Sequence, residues 1–145
     1  MKSFDFYFDF GSPAAYLAYT QIPKLSAATG AQAKWLPMLL GGVFQATGNA
    51  SPVTVPAKGR WMFQDMAGWA RRYGVGLAMN PHFPINTLTL MRGATGLQMR
   101  EPQRLQPYGD AVYRAIWVDG RNMNDPAEVG AVLAAAGFDP QALLA

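Results

Sequence analysis

The residues with the clearest chemical potential sit where a strand-like run gives way to Gly11-Ser12-Pro13. Ser12 can cap the free amides that open a helix, and Pro13 suits the first helical position because its missing N–H costs nothing there. A helix start gathers unpaired backbone N–H groups at the positive end of the helix dipole, so it favours an anion. If that anion is a thiolate, the hydroxyl and the dipole both lower the thiol pKa. The chain has no cysteine, so any thiol must come from a ligand. Ser12 would then hold a thiolate without being a nucleophile. On Ser-Pro alone, the plainer reading of Ser12 as a helix cap and nothing more is the stronger one.

Other reactive side chains are few. His82 is the only histidine, which together with the lack of cysteine speaks against a metal site. Wedged between Pro81 and Pro84, it reads as structural and not as a general base. Trp61, Met62, Met66, Trp69 and Tyr73 recur at helical spacing and read as core packing between helices, with some able to line an apolar pocket. A charged fraction of 14% and a net charge of +3 are too weak and scattered for a nucleic-acid footprint or a polybasic membrane patch. Asp5 and Asp9 fall where a signal peptide would need its apolar stretch, and no apolar run reaches membrane-spanning length. The expected location is cytoplasmic, with no nucleic-acid or membrane partner.

The elements that must position Ser12 follow from periodicity. Phe4, Phe6, Phe8 and Phe10 alternate with Asp5, Tyr7 and Asp9, which predicts a strand. Ala14, Leu17, Ala18, Gln21, Ile22 and Leu25 then follow at helical spacing up to Gly30, with Pro23 expected to kink the helix. Residues 31–38 return to strand character around Trp35, so the first forty residues read as strand, helix, strand with the strands parallel. The remainder reads as helical. Gly74, Gly120 and Gly137 act as stops, Asn86 as a cap, and Asp125-Pro126 and Asp139-Pro140 as helix starts.

The motif Phe6-Tyr7-Phe8-Asp9-Phe10-Gly11-Ser12-Pro13, followed by Tyr16-Leu17, resembles the opening of the 2-hydroxychromene-2-carboxylate isomerases and kappa-class glutathione transferases. Gly48-Asn49, Pro56-Ala57-Lys58-Gly59, Pro81-His82-Phe83-Pro84 and Ala115-Ile116-Trp117 are similar to later segments of that family, in order and at fitting intervals. The resemblance implies an α/β, thioredoxin-like fold with an inserted all-helical domain. Residues 1–40 would form the N-terminal half of the thioredoxin-like domain and 41–145 the helical insertion. It further implies glutathione as cofactor, a small aromatic substrate and a homodimer. Ser12 would carry over as the catalytic residue that holds the thiolate, and Asn49 and Lys58 as contacts to the tripeptide. Without the family pattern, Asn49 and Lys58 read as a turn residue and a solvated lysine. The leading expectation is a glutathione-dependent isomerase of the 2-hydroxychromene-2-carboxylate type in aromatic catabolism. The rivals are a kappa-like transferase and a non-catalytic thioredoxin-like binding module.

Family members continue into further strands and a final helix, with a cis-proline beside the serine, and the resemblance finds no counterpart of these here. Only about one helical turn follows Asp139, and isolated helices need roughly 12 to 15 residues to be even marginal. The sequence therefore reads as cut short. The strand over residues 4–10 is then expected to have one open edge beside an uncovered row of phenylalanines, closed by a second copy or by a missing segment, with glutathione bound weakly or not at all.

Overall fold

A computed structural model describes all residues, Met1–Ala145. In chain order the elements are β1 (Ser3–Phe8), α1 (Pro13–Thr29), β2 (Gln32–Pro37), α2 (Leu40–Thr47), α3 (Pro56–Tyr73), α4 (Leu88–Arg100), α5 (Leu105–Trp117), α6 (Pro126–Ala135) and α7 (Pro140–Leu144). Single 3-10 turns occupy Pro52–Thr54 and Pro102–Arg104. No helix is long and apolar enough to cross a membrane. The expected division at residue 40 follows chain order, whereas compactness divides the chain differently. One unit comprises Met1–Phe8 and Ser12–Leu77, the other Asp9–Gly11 and Ala78–Ala145.

The first unit is built on the strand, helix, strand pattern. β1 and β2 pair in parallel from Ser3 opposite Gln32 to Phe8 opposite Pro37. The α1 crossover that joins them starts at the Ser12 cap, continues through Pro23 and ends at Gly30, whose φ of 70° is the left-handed conformation that glycine adopts without strain. The alternation of β1 directs Phe6 and Phe8 to one face, where their rings stack 5.6 Å apart and meet the edge of Trp35 at 5.2 and 5.8 Å. Tyr19 of α1 closes on the same indole at 5.4 Å. Such edge-to-face pairs add about 0.5 to 1.5 kcal/mol each beyond the area they bury.

Two expectations are corrected in this unit. The phenylalanines are not left uncovered: Phe6 and Phe8 are buried, and it is Tyr7 on the opposite face that is 61% exposed. The outer edge of β1 does lack a partner strand, since the sheet has two strands only. The cluster on α3 is only partly core: Trp61 is 67% and Trp69 40% exposed, while Met62, Met66 and Tyr73 are half-buried. Helical spacing shows which residues share a face but not whether anything covers it. On that face Arg72 lies over the Trp69 ring at 5.3 Å, a cation–π contact at the surface. α2 buries no residue at all.

The second unit is a helical core around α5, whose Tyr108, Val112, Tyr113, Ile116 and Trp117 are fully enclosed together with Leu90 of α4 and Leu133 of α6. The Tyr108 hydroxyl donates to the Leu90 carbonyl at 2.7 Å. Gly93 permits that approach, since a Cβ there would stand 2.6 Å from the Tyr108 oxygen. Phe10 enters this core, its ring 4.8 Å from Tyr113 and 5.7 Å from Tyr108. The predicted helix starts appear as written: Asp125 accepts from the Ala127 N–H, and Asp139 from Gln141 and Ala142. Asn86 accepts from the Leu88 N–H at the head of α4.

Candidate functional site

Ser12 is the N-cap of α1, in extended backbone conformation, with its Oγ accepting the Ala15 N–H at 3.1 Å and its carbonyl accepting the Tyr16 N–H. Acceptance uses a lone pair, so the Ser12 hydroxyl proton has no acceptor within the chain. The Ala14 N–H, which precedes the first intrahelical bond, is likewise uncommitted. Two donors thus stand at the positive end of a 17-residue helix.

Asn49 lies in the exposed turn that follows α2, where its Oδ1 accepts the neighbouring Ala50 N–H at 2.8 Å. Lys58 occupies the first turn of α3, is exposed and forms no ion pair. A cation in a first helical turn opposes the dipole, and Val55 at the cap offers no side-chain acceptor, so the head of α3 is uncompensated positive. Asn49 and Lys58 therefore belong to one stretch of chain, with the Pro52–Thr54 turn between them packed against Gly59. Ser12 stands on a different element. The first turn of α1 is tied through Tyr16 to Gly76, which lies beyond the C-terminal end of α3, a helix about 27 Å long. No hydrogen bond or ion pair joins any two of Ser12, Asn49 and Lys58.

Sequence reasoning missed the polar residues of the turn before Ser12. Asp9 is 3% exposed, and its Oδ1 accepts the Gly11 N–H at 2.9 Å and the Thr87 hydroxyl at 2.6 Å. Thr87 is itself buried. The indole N–H of Trp117 donates to the Phe10 carbonyl at 2.8 Å. Asp9 shares the parity of the exposed Asp5 and Tyr7, but β1 ends at Phe8, so its burial does not follow from the alternation. His82 serves through its backbone: its N–H donates to buried Asn80 and its carbonyl accepts from Asn124, while its imidazole is exposed. Asn80 also donates to the carbonyls of Ile116 and Arg121, at 2.9 Å each.

Residues 4–145 match the model of the DSBA-like thioredoxin domain family. The 2-hydroxychromene-2-carboxylate isomerase of Sphingobium xenophagum is 31% identical over 144 residues, an alignment that covers 98% of this chain and 72% of that protein. The chain belongs to this family of DSBA-like isomerases and kappa-class transferases. Among the kappa class, glutathione S-transferase kappa 1 of Caenorhabditis elegans is 26% identical, over 92% of this chain and 62% of that protein. A solved structure of a 2-hydroxychromene-2-carboxylate isomerase superposes with a TM-score of 0.81 at 26% identity, covering 97% of this chain and 68% of the other. This DSBA-like member thus has the thioredoxin-like fold expected of it, and its relatives are enzymes.

Proposed function

We propose that this chain handles glutathione at Ser12 as a glutathione-dependent isomerase of the 2-hydroxychromene-2-carboxylate type, acting on a small aromatic catabolite. One observation carries the reading: an uncommitted serine hydroxyl at a helix start, in a chain that has no thiol of its own. The residues present suit the tripeptide thiol, since Ser12 offers an O–H donor, Ala14 an N–H donor and α1 its dipole. Bound glutathione would supply a nucleophilic thiol that adds reversibly to a conjugated ketone. Ser12 donates its hydroxyl proton to the thiolate sulfur, a charge-assisted bond of about 1.5 to 3 kcal/mol. The family pattern, and not a contact within the chain, supports Lys58 at the head of α3 as the partner of the ligand's negative charge and Asn49 as a neutral hydrogen bond to it. In this reading residues 1–40 are the first half of the thioredoxin-like domain, 41–145 are the helical insertion, and the working form is a cytoplasmic homodimer.

The Sphingobium relative is a 2-hydroxychromene-2-carboxylate isomerase, which supports the isomerase. The kappa relatives support the second reading, a transferase that releases a glutathione conjugate. The chain spans 62% to 72% of these proteins, which leaves a third reading, a binding module without turnover. Two measurements separate the three. Calorimetric titration with glutathione decides whether the chain binds it, and product analysis with a hydroxychromene carboxylate decides the reaction. The isomerase returns all its glutathione; net consumption assigns the transferase, and binding without product assigns the module.

A further inference from the structure

The turn that delivers the chain to Ser12 is fixed by buried polar bonds that a helix cap alone does not require. Asp9 Oδ1 receives the Gly11 N–H and the Thr87 hydroxyl together, and the Phe10 carbonyl between them receives the Trp117 indole. A Cβ at Gly11 would stand 3.3 Å from Thr87 Cγ2 and 3.4 Å from Asp9 Oδ1, so the backbone is also held sterically. Burying a carboxylate is costly unless it is hydrogen-bonded, and here one of its bonds holds the Phe10–Gly11 peptide while another ties it to Thr87. From this geometry we infer that Thr87 and Asp9 are positioning residues for Ser12. By locking the Gly11 peptide they fix the backbone from which the Ser12 Oγ is aimed. The inference rests on the reading of Ser12 as a thiolate donor, but its structural half is testable without any ligand.

Thr87→Val removes the donor at constant shape, Thr87→Ser retains it, and Ser12→Ala serves as reference. Amide hydrogen exchange at Gly11 and Ala15 reports the turn and the Ser12 cap in the free chain. Ultraviolet thiolate titration reports the pKa of bound glutathione. Thr87→Val is expected to exchange about tenfold faster at both amides, with those of α6 unchanged, and Thr87→Ser to behave as wild type. With glutathione, Thr87→Val should move the thiol pKa in the same direction as Ser12→Ala. Unchanged exchange at Ala15 in Thr87→Val overturns the inference, whatever glutathione does. Faster exchange with an unmoved thiol pKa, where Ser12→Ala does move it, also overturns it by reducing Thr87 to a structural residue. A wild type that leaves the glutathione thiol at its free value overturns the role proposed for Ser12, and the exchange data then judge the turn alone. Where Thr87→Val does not fold, Thr87→Ala gives the same comparison.

Discussion

The Tyr16 hydroxyl donates to the Gly76 carbonyl at 2.6 Å, joining the first turn of α1 to the segment that leaves α3, sixty residues later. Tyr16 is buried, so removal of its oxygen leaves an acceptor without its donor. Tyr16→Phe should cost about 0.5 to 1.5 kcal/mol in urea unfolding. An unchanged midpoint would mean that packing alone holds this junction.

Ser12 has two separable duties, and two substitutions part them. Ser12→Ala loses cap and donor and should cost about 1 kcal/mol of stability, whereas Ser12→Gly costs only a few tenths. Both should raise the pKa of bound glutathione equally and slow turnover more than they weaken binding. A thiol pKa that tracks stability instead would leave Ser12 as a cap.

Lys58→Ala should weaken glutathione affinity and reduce its dependence on salt, because an exposed ion pair is screened by added electrolyte. Asn49→Ala should weaken affinity without altering that dependence. The thermal midpoint of Lys58→Ala should not fall, since the charge it removes opposes the dipole of α3. Equal affinities of wild type and Lys58→Ala across ionic strength would take Lys58 out of the site.

Burial pushes the phenol pKa of Tyr108 above its ordinary value of 10.0, and that of Tyr113 is raised by burial and then by the charge of Asp9. Both phenols keep their protons in the folded chain at a pH where the unfolded chain releases them. Their contribution is complete below about pH 10 and is lost progressively above it. Unfolding free energy measured against pH should therefore decline in the alkaline range, less steeply in Tyr113→Phe.

At Gly93 an added methyl collides with the Tyr108 oxygen, and Tyr108 is locked by its bond to Leu90. Gly93→Ala should destabilise by about 1 to 3 kcal/mol through overpacking, despite the higher helix propensity of alanine. Calorimetric unfolding would show it, and a gain in midpoint would mean that α4 shifts freely.

The parts of the fold readable in advance were those with a local cause. The alternating phenylalanines of β1, the Ser12-Pro13, Asp125-Pro126 and Asp139-Pro140 starts and the Gly30 and Gly74 stops act through neighbours in sequence. These starts and stops appear where they were read, whereas the strand expected over residues 4–10 runs from Ser3 to Phe8 and leaves Phe10 outside it. What escaped depends on partners far along the chain. Trp61 and Trp69 remain exposed although they recur at helical spacing, and buried Asp9 meets Thr87, 78 residues away. The place of Ser12 at the head of α1 was legible from the same local cue, whereas the residues that hold the turn before it were not.

Neither compact unit is an uninterrupted stretch of chain, because Asp9–Gly11 packs with Ala78–Ala145. A polypeptide beginning at Ala78 would lack Phe10, leaving a ring-sized hole between Tyr108 and Tyr113 and the Trp117 indole N–H without its acceptor. Losing a buried phenylalanine costs about 3 to 5 kcal/mol, a large share of the roughly 5 to 15 kcal/mol that holds a whole domain. The helical unit is thus not a self-contained stretch of chain: a fragment beginning at Ala78 should unfold more readily than the intact protein, because Asp9–Gly11 is missing from it.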